Sequence, residues 1–313
     1  MTEAVAETET AAAAATVTVA RSEYSVFVTT SIGPAVNEIT IPVRDGYPLA
    51  ATIFGAAENR PRVVIISSAT AVPQRFYRHF AAALAGAGYT TITYDYRGIA
   101  RSGPKRLKGF QAKARDWALE DLPGVLDWVV DDLGSEKVFL VGHSFGGQVA
   151  GMYDRPAVID GMATMSAQSG HWRLQGGEQK FVVWLHTHVT LPLLSKLMGY
   201  MPMSAVGAGE NMPAGVAVEW SRWCRHPDYI LGDRTLPLDR FQDFTAPVLA
   251  YSFGDDKWGT PKSVEAMMRA YPNVERRHVE PSEVDLPSIG HLGFFKPQSE
   301  DLWKDTIAWF DRC

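Results

Sequence analysis

Cysteine is scarce in this 313-residue chain, and basic stripes and long apolar runs are missing from it. The two cysteines, Cys224 and Cys313, lie far apart, so the sequence indicates no disulfide framework and a reducing, cytoplasmic setting is expected. The net charge is only −5, without a basic helix, which argues against nucleic acid or a membrane as a partner. We expect a small-molecule substrate and no cofactor, and the sequence leaves open whether the chain forms a homo-oligomer.

The first twenty residues contain an alanine run that resembles the apolar part of an export signal. Three glutamates, Glu3, Glu7 and Glu9, stand where such a signal needs positive charge. We therefore interpret residues 1–20 as a disordered, acidic and alanine-rich tail. No apolar run reaches the ~18 residues that a membrane-spanning helix needs, so a soluble protein is expected.

Strand and helix patterns alternate along the rest of the chain. Hydrophobic residues alternate on both sides of Asp45-Gly46 from 38 to 54, which predicts an antiparallel hairpin. Further strands are predicted at 63–66, 90–94, 137–141, 247–253 and 274–279. Helices are predicted at 75–87, 117–131, 262–271 and 300–310. This order predicts an α/β fold with a mostly parallel, doubly wound sheet, whose chemistry should lie at the carboxyl ends of the strands.

The stretch 168–241 breaks this rhythm, because it is rich in tryptophan and methionine and shows no strand alternation. We predict an inserted helical cap at 168–241 and a core built from 21–167 and 242–313. Trp172 and Trp220 are candidates for the lining of an apolar substrate pocket. Trp220 and Trp223 lie at helical spacing, which is equally compatible with a packing core inside the cap.

The segment Gly142-His143-Ser144-Phe145-Gly146 lies between a predicted strand and a run compatible with a helix. Such a strand-turn-helix context is what a nucleophile elbow requires, so Ser144 is the candidate nucleophile. The turn is so tight that side chains at the two glycines would collide with the neighbouring strand and helix. The alternative is a glycine-rich connection without chemistry.

A second motif supports the first. The sequence from Asp95 to Ser102 resembles the Asp-x-Arg-Gly-x-Gly-x-Ser loop of the α/β-hydrolase superfamily, with Ala100 where glycine is usual. The resemblance covers the chain from the hairpin to the last helix and implies an α/β-hydrolase fold. In its combination of motifs the chain resembles a branch of bacterial predicted hydrolases whose substrates are poorly defined. We interpret Asp95 and Arg97 as structural residues of a turn.

The family order of catalytic residues is serine, acid, histidine. The resemblance places the acid after the strand 247–253, at Asp255 or Asp256, and counting back from Pro261 favours Asp256. Asp255 would then be a turn residue or helix cap. A Gly-His pair followed by apolar residues resembles the family's histidine loop and implies His291 as the base.

The resemblance also implies two backbone donors for an oxyanion, Phe145 and a residue after the third strand. Relatives often carry His-Gly there, whereas this chain has Ser-Ser-Ala-Thr, and alignment places Thr70 at the donor position to within one residue. His143 is a candidate substrate contact, with packing beside the nucleophile as its ordinary explanation. His186 and His188 lack a third ligand, so no metal is expected.

Together these residues predict a serine hydrolase that cleaves an ester or thioester of a small, partly apolar substrate through an acyl-enzyme. Two alternatives use the same fold: an acyltransferase with the same triad, and a non-catalytic ligand-binding protein. The intact set of serine, acid and histidine counts against the second alternative. The acyl chain length stays open.

Overall fold

The computed structural model describes residues 35–55 and 62–313, so the tail predicted at 1–20 lies outside the described residues. Its strands are β1 (Val36–Pro42), β2 (Pro48–Phe54), β3 (Arg62–Ser67), β4 (Thr90–Tyr94), β5 (Lys137–His143), β6 (Gly161–Met165), β7 (Tyr200–Met201), β8 (Met212–Pro213), β9 (Val248–Phe253) and β10 (Val274–Val279). Eight of them form one sheet in the order β1-β2-β4-β3-β5-β6-β9-β10.

The hairpin β1-β2 and the pair β2-β4 are antiparallel, and the five remaining neighbours in this sheet are parallel. Gly46 closes the hairpin at a positive φ of 82°, which favours glycine because it has no Cβ. These observations confirm the predicted mostly parallel, doubly wound sheet with an antiparallel hairpin at its start.

The helices cover both faces of the sheet. They are α1 (Arg78–Gly86), α2 (Ala114–Asp116), α3 (Leu122–Asp127), α4 (Phe145–Val149), α5 (Gln179–Leu185), α6 (Leu191–Met198), α7 (Ala214–Arg225), α8 (Pro261–Met268) and α9 (Glu300–Phe310). Wider helical turns join α2 to α3 and continue to 132, so 114–132 is one helical segment. α1 and α9 contribute to the core on one face, while 114–132 and α8 contribute to the core on the other.

The predicted strands at 90–94 and 274–279 and the last helix agree with the structure residue for residue. β5 extends two residues further than predicted, up to the candidate nucleophile. β6 was not predicted, because Gly-Met-Ala-Thr-Met contains one β-branched residue and, being buried throughout, has no polar alternation. It fills the position between β5 and β9, so the residues that follow it reach the same edge of the sheet as the serine turn.

The chain between β6 and β9 holds α5, α6 and α7, within the stretch predicted as a helical cap. It also holds the short antiparallel pair β7-β8, which the sequence did not indicate. No helix in the described ranges has the length and apolar character needed to cross a membrane.

Candidate active site

Ser144 lies between β5 and α4 with φ 50° and ψ −114°, a conformation that costs a non-glycine residue about 1–3 kcal/mol. Its backbone N–H donates to the carbonyl oxygen of Met165 on β6, which anchors the turn. A Cβ at Gly142 would lie 2.4 Å from the Gly147 Cα, and one at Gly146 would lie 2.1 Å from the Ser67 carbonyl oxygen. Only glycine therefore allows α4 and β3 to approach the turn this closely.

Asp256 follows β9 and is buried, and its Oδ2 lies 2.8 Å from Nδ1 of His291. The Ser166 hydroxyl donates to the same oxygen, and the Trp258 N–H donates to the other. Burial alone would raise the pKa of this carboxyl, but the hydrogen bond and charge of His291, with hydrogen bonds from the Gly259 backbone and the Ser166 hydroxyl, lower it to about 2. Asp256 is therefore ionised at neutral pH and holds a proton on Nδ1 of His291.

Asp255 contacts the backbone of the loop that carries His291. Its carboxylate accepts hydrogen bonds from the backbone N–H groups of Ile289 and Gly290, at 2.9 and 2.8 Å. The two neighbouring aspartates therefore have different roles. Asp256 contacts the imidazole of His291, and Asp255 fixes the backbone of the loop that carries it.

His143 is fully buried beside the serine, and burial lowers its pKa to about 3. One ring nitrogen, Nε2, lies 2.8 Å from the carbonyl oxygen of His291, which can only accept, so Nε2 carries the proton. Nδ1 then accepts from the hydroxyl of Tyr77, which itself accepts from the N–H of Ala69. His143 therefore connects the loop that carries His291 to Tyr77, and its side chain is not exposed to solvent.

The Ser144 hydroxyl donates to Oε1 of Gln168 at 3.3 Å, and no hydrogen bond joins it to His291 among the described residues. Gln168 is held in turn by Gln148, whose Nε2 donates to the Gln168 backbone carbonyl at 2.7 Å. The Ser144 hydroxyl is thus oriented by an amide in this structure.

The chain between β6 and β9 is connected to this amide pair. The Tyr229 hydroxyl donates to Gln148 Oε1, and the indole N–H of Trp220 donates to the Tyr229 hydroxyl. Trp220 packs against the main core, whereas Trp172 lies partly exposed near the ring of His188. Of the two predicted pocket tryptophans, the structure connects Trp220 to the serine through hydrogen bonds and shows no such connection for Trp172 in the described ranges.

The backbone N–H groups of Phe145 and Thr70 have no acceptor within the part of the chain that the structure describes. Phe145 opens α4, and the first N–H groups of a helix have no partner inside it. Thr70 is partly exposed and precedes Ala71, which has a positive φ of 61°. Two unpaired donors are what an oxyanion requires.

The sequence model of a family described as the alpha/beta hydrolase fold matches residues 61–284, well over half of the chain. The chain belongs to the α/β-hydrolase fold family.

A segment of this α/β-hydrolase is 33% identical over 123 residues to epoxide hydrolase B of Mycobacterium tuberculosis. That match covers 37% of this chain and spans about a third, 32%, of the relative's length. An esterase of Pyrococcus furiosus superposes with a TM-score of 0.54 at 15% identity, over 89% of this chain and 90% of the esterase. An esterase of Exiguobacterium antarcticum gives 0.57 at 15% identity, over 86% and 98%. These structures support the fold.

Several residues of the site in this α/β-hydrolase escaped sequence reasoning: Ser166, Gln168, Gln148, Tyr229 and Tyr77. A correct prediction of β6 would have exposed the first two, because they follow its carboxyl end. Backbone strain marks the same region, since four of the six non-glycine residues with positive φ in the described ranges belong to it. Those four are Ala71, Ser144, Ser166 and Tyr229.

Asp95 and Arg97 of this α/β-hydrolase lie in structural hydrogen-bond networks. Asp95 accepts from the backbone and side chain of Gln74, and Arg97 pairs with Asp45 and Asp121. No group of three or more histidine, cysteine, aspartate or glutamate side chains in the described ranges could hold a metal ion.

Proposed function

We propose that this chain is a serine hydrolase that cleaves a carboxylic ester or thioester through an acyl-enzyme at Ser144. One observation carries the proposal: the hydrogen bond of 2.8 Å between His291 and a buried, ionised Asp256, beside the strained turn of Ser144. A serine hydroxyl is a weak nucleophile and needs a neighbouring base whose tautomer is fixed by an acid. Asp256 meets the second need, since it holds the proton of His291 on Nδ1.

The reaction would begin when the Ser144 hydroxyl leaves Gln168 and turns to Nε2 of His291. The serine oxygen then bonds to the substrate carbonyl carbon while its proton passes to Nε2, and Asp256 stabilises the resulting imidazolium. The imidazolium gives this proton to the departing alkoxide or thiolate as the scissile bond breaks. Water repeats both steps, releases the acid and restores the serine.

The tetrahedral intermediate carries its negative charge on the former carbonyl oxygen. We assign the N–H groups of Phe145 and Thr70 to this charge, because both lack an acceptor in the described chain. This assignment uses backbone donors only, so the missing His-Gly sequence does not weaken it.

Opening an epoxide is a second reaction to consider, since a relative carries that name. Attack of a serine oxygen on an epoxide carbon would leave an ether on the enzyme. An ether has no carbonyl for water to attack, so this intermediate would not turn over. A carboxylate nucleophile would instead leave an ester, which hydrolyses. Serine at position 144 therefore favours acyl chemistry.

The substrate is a small, partly apolar ester or thioester in this proposal, because the cap contributes aromatic side chains on the side of Gln168. Hydrolysis of nitrophenyl esters of increasing acyl length tests it, with wild type, Ser144→Ala and the exposed control Ser282→Ala. We expect Ser144→Ala to lose at least about 1,000-fold in kcat and the control to match wild type. Equal rates in wild type and Ser144→Ala would refute the proposal. An added alcohol that receives the acyl group in preference to water would make the protein an acyltransferase.

A further inference from the structure

One continuous helical segment of the cap, 179–198, turns its apolar side chains outward. It consists of α5, a wider helical turn at His186–Thr190, and α6. Its buried side chains recur at every fourth position and include two hydroxyl residues: Val183, Thr187, Leu191 and Ser195. The wider turn and α6 lie against α7, whereas α5 lies against the helical turn Trp172–Leu174. This arrangement inverts the pattern of an ordinary surface helix, whose apolar stripe faces the core.

The outward side of this segment carries eight of the eleven large hydrophobic residues that are exposed in the described ranges. We call these eight residues the apolar face: Phe181, Val182, Trp184, Leu185, Val189, Leu193, Leu197 and Met198. Leu197 is 69% exposed and Phe181 is 62% exposed. Single exposed hydrophobic residues are ordinary, but a contiguous group marks a surface that binds something.

Positive charge surrounds the apolar face. The sequence from 179 to 209 contains no aspartate or glutamate, while Lys180 and Lys196 lie on the segment itself. A loop next to its end adds Lys105, Arg106 and Lys108, all exposed, which we call the basic loop. Lys108 packs against Gly199, the residue that follows α6, where an added Cβ would lie 2.9 Å from Lys108 Cγ.

The basic loop also lines a cavity of about 770 Å³ together with Tyr200, which directly follows Gly199. None of the five cations beside the apolar face forms an ion pair with a carboxylate of the described residues. In a chain of net charge −5, this surface is locally positive. Glu210 also lines the cavity, but its carboxylate is paired with Arg75.

Charge decides between two occupants of such a surface. A second copy related by two-fold symmetry would bring the same cationic segment against itself, and 179–209 offers no acid to pair with it. An anionic bilayer supplies the missing negative charge, and its interface accepts leucine, phenylalanine and tryptophan from a helix that lies parallel to the membrane. The segment has this composition, including Trp184 at the centre of its first turns.

We propose that the apolar face and the basic loop form a docking surface for an anionic phospholipid bilayer. This binding is peripheral and independent of the reaction at Ser144. It departs from the expectation drawn from composition, because the cations come from two segments 70 or more residues apart in sequence and meet only in the fold.

Co-sedimentation of the full chain with vesicles tests the proposal, using phosphatidylcholine alone and phosphatidylcholine mixed with phosphatidylglycerol. We expect at least about tenfold tighter binding to the anionic vesicles, and weaker binding at high salt. The double variant Trp184→Ser/Leu197→Ser should lose about tenfold or more in binding. Lys105→Ser/Arg106→Ser should lose binding to anionic vesicles only, without altering the apolar face.

Val218→Ser is the matched control, because Val218 is 43% exposed on α7 and lies outside the apolar face. It should bind like wild type, and so should Ser144→Ala, which separates docking from catalysis. Circular dichroism verifies that each variant is folded. Absence of wild-type binding to either vesicle, or unchanged binding by both double variants, overturns the proposal. A wild-type dimer that Trp184→Ser/Leu197→Ser dissociates, without vesicle binding, would assign the face to a second copy instead.

Discussion

The imidazole of His143 donates a hydrogen bond of 2.8 Å to the backbone carbonyl oxygen of His291. The residue before the candidate nucleophile therefore holds the loop that carries the candidate base. Tyr77 extends this connection, since its hydroxyl bonds both to His143 and to the N–H of Ala69 in the loop after β3. Two buried side chains therefore connect the loop after β3, the turn of Ser144 and the loop that carries His291.

Removing the Tyr77 hydroxyl should destabilise the folded protein. Tyr77→Phe leaves the Ala69 N–H and the His143 Nδ1 unpaired in a buried site, so we expect a loss of about 1–3 kcal/mol in the free energy of unfolding. Urea denaturation measures it. Tyr200→Phe is the control, because the Tyr200 hydroxyl has no hydrogen bond within the described chain. Equal losses in the two variants would contradict the role given to Tyr77.

His143 should make the protein sensitive to acid. Its pKa is about 3 in the fold and near 6.5 when exposed, so the unfolded chain binds the extra proton first as pH falls. Stability from this group is present above pH 6.5 and is lost between about pH 6.5 and 3, by about 3–5 kcal/mol.

The variant His143→Gln isolates this effect, since an amide can still accept from Tyr77 and donate to His291 but does not titrate. Its unfolding free energy should vary less between pH 6.5 and 4 than that of wild type. The exposed His79→Gln should retain the wild-type slope. A slope for His143→Gln equal to that of wild type would contradict this role of His143.

Asp255 and Asp256 provide a matched pair for the triad acid. Asp256→Asn removes the negative charge that fixes Nδ1–H of His291, and we expect kcat to fall about 10,000-fold. Asp255→Asn weakens the bonds to the Ile289 and Gly290 N–H groups, so kcat should fall at most about tenfold. Steady-state ester hydrolysis gives both values. If Asp255→Asn lost more activity than Asp256→Asn, Asp255 would be the triad acid instead of Asp256.

Two glycines should respond to alanine in opposite directions. Gly146→Ala places a Cβ 2.1 Å from the Ser67 carbonyl oxygen. The oxygen is a backbone atom and the Cβ position is fixed by the backbone, so we expect a loss of at least about 2 kcal/mol in stability. Gly86→Ala meets no atom within 4 Å in helix α1 and should gain about 0.5–1 kcal/mol. Thermal unfolding distinguishes them. A Gly146→Ala variant as stable as wild type would show that the turn has room for a Cβ at position 146.

Sequence patterns predicted the elements whose burial leaves a clear signature. Strands β4 and β10 matched because alternation or β-branching marks them, and the hairpin matched because Asp45-Gly46 fixes its turn. β6 carries no such mark, and Ser166 and Gln168 were missed with it. Periodicity is a local signal, so a buried strand of methionine and glycine does not register in it.

Local motifs brought Ser144, Asp256 and His291 forward, since each follows a predicted strand. The tie from Tyr77 through His143 to His291 spans 66 and 148 residues in sequence. Such hydrogen bonds depend on how the loops pack, and a single sequence carries no pattern for them. For the same reason the sequence left His143 open between a substrate contact and packing beside the nucleophile, whereas the fold buries its side chain.

Covalent labelling tests whether Ser144 is an activated nucleophile. A fluorophosphonate reacts only with a serine that a neighbouring base activates, and mass spectrometry of the digested protein locates the adduct. We expect one adduct, on the peptide that contains Ser144, with labelling lost in Ser144→Ala and at least about 100-fold slower in His291→Ala. An unlabelled but folded wild type, or an adduct on another serine, would contradict it.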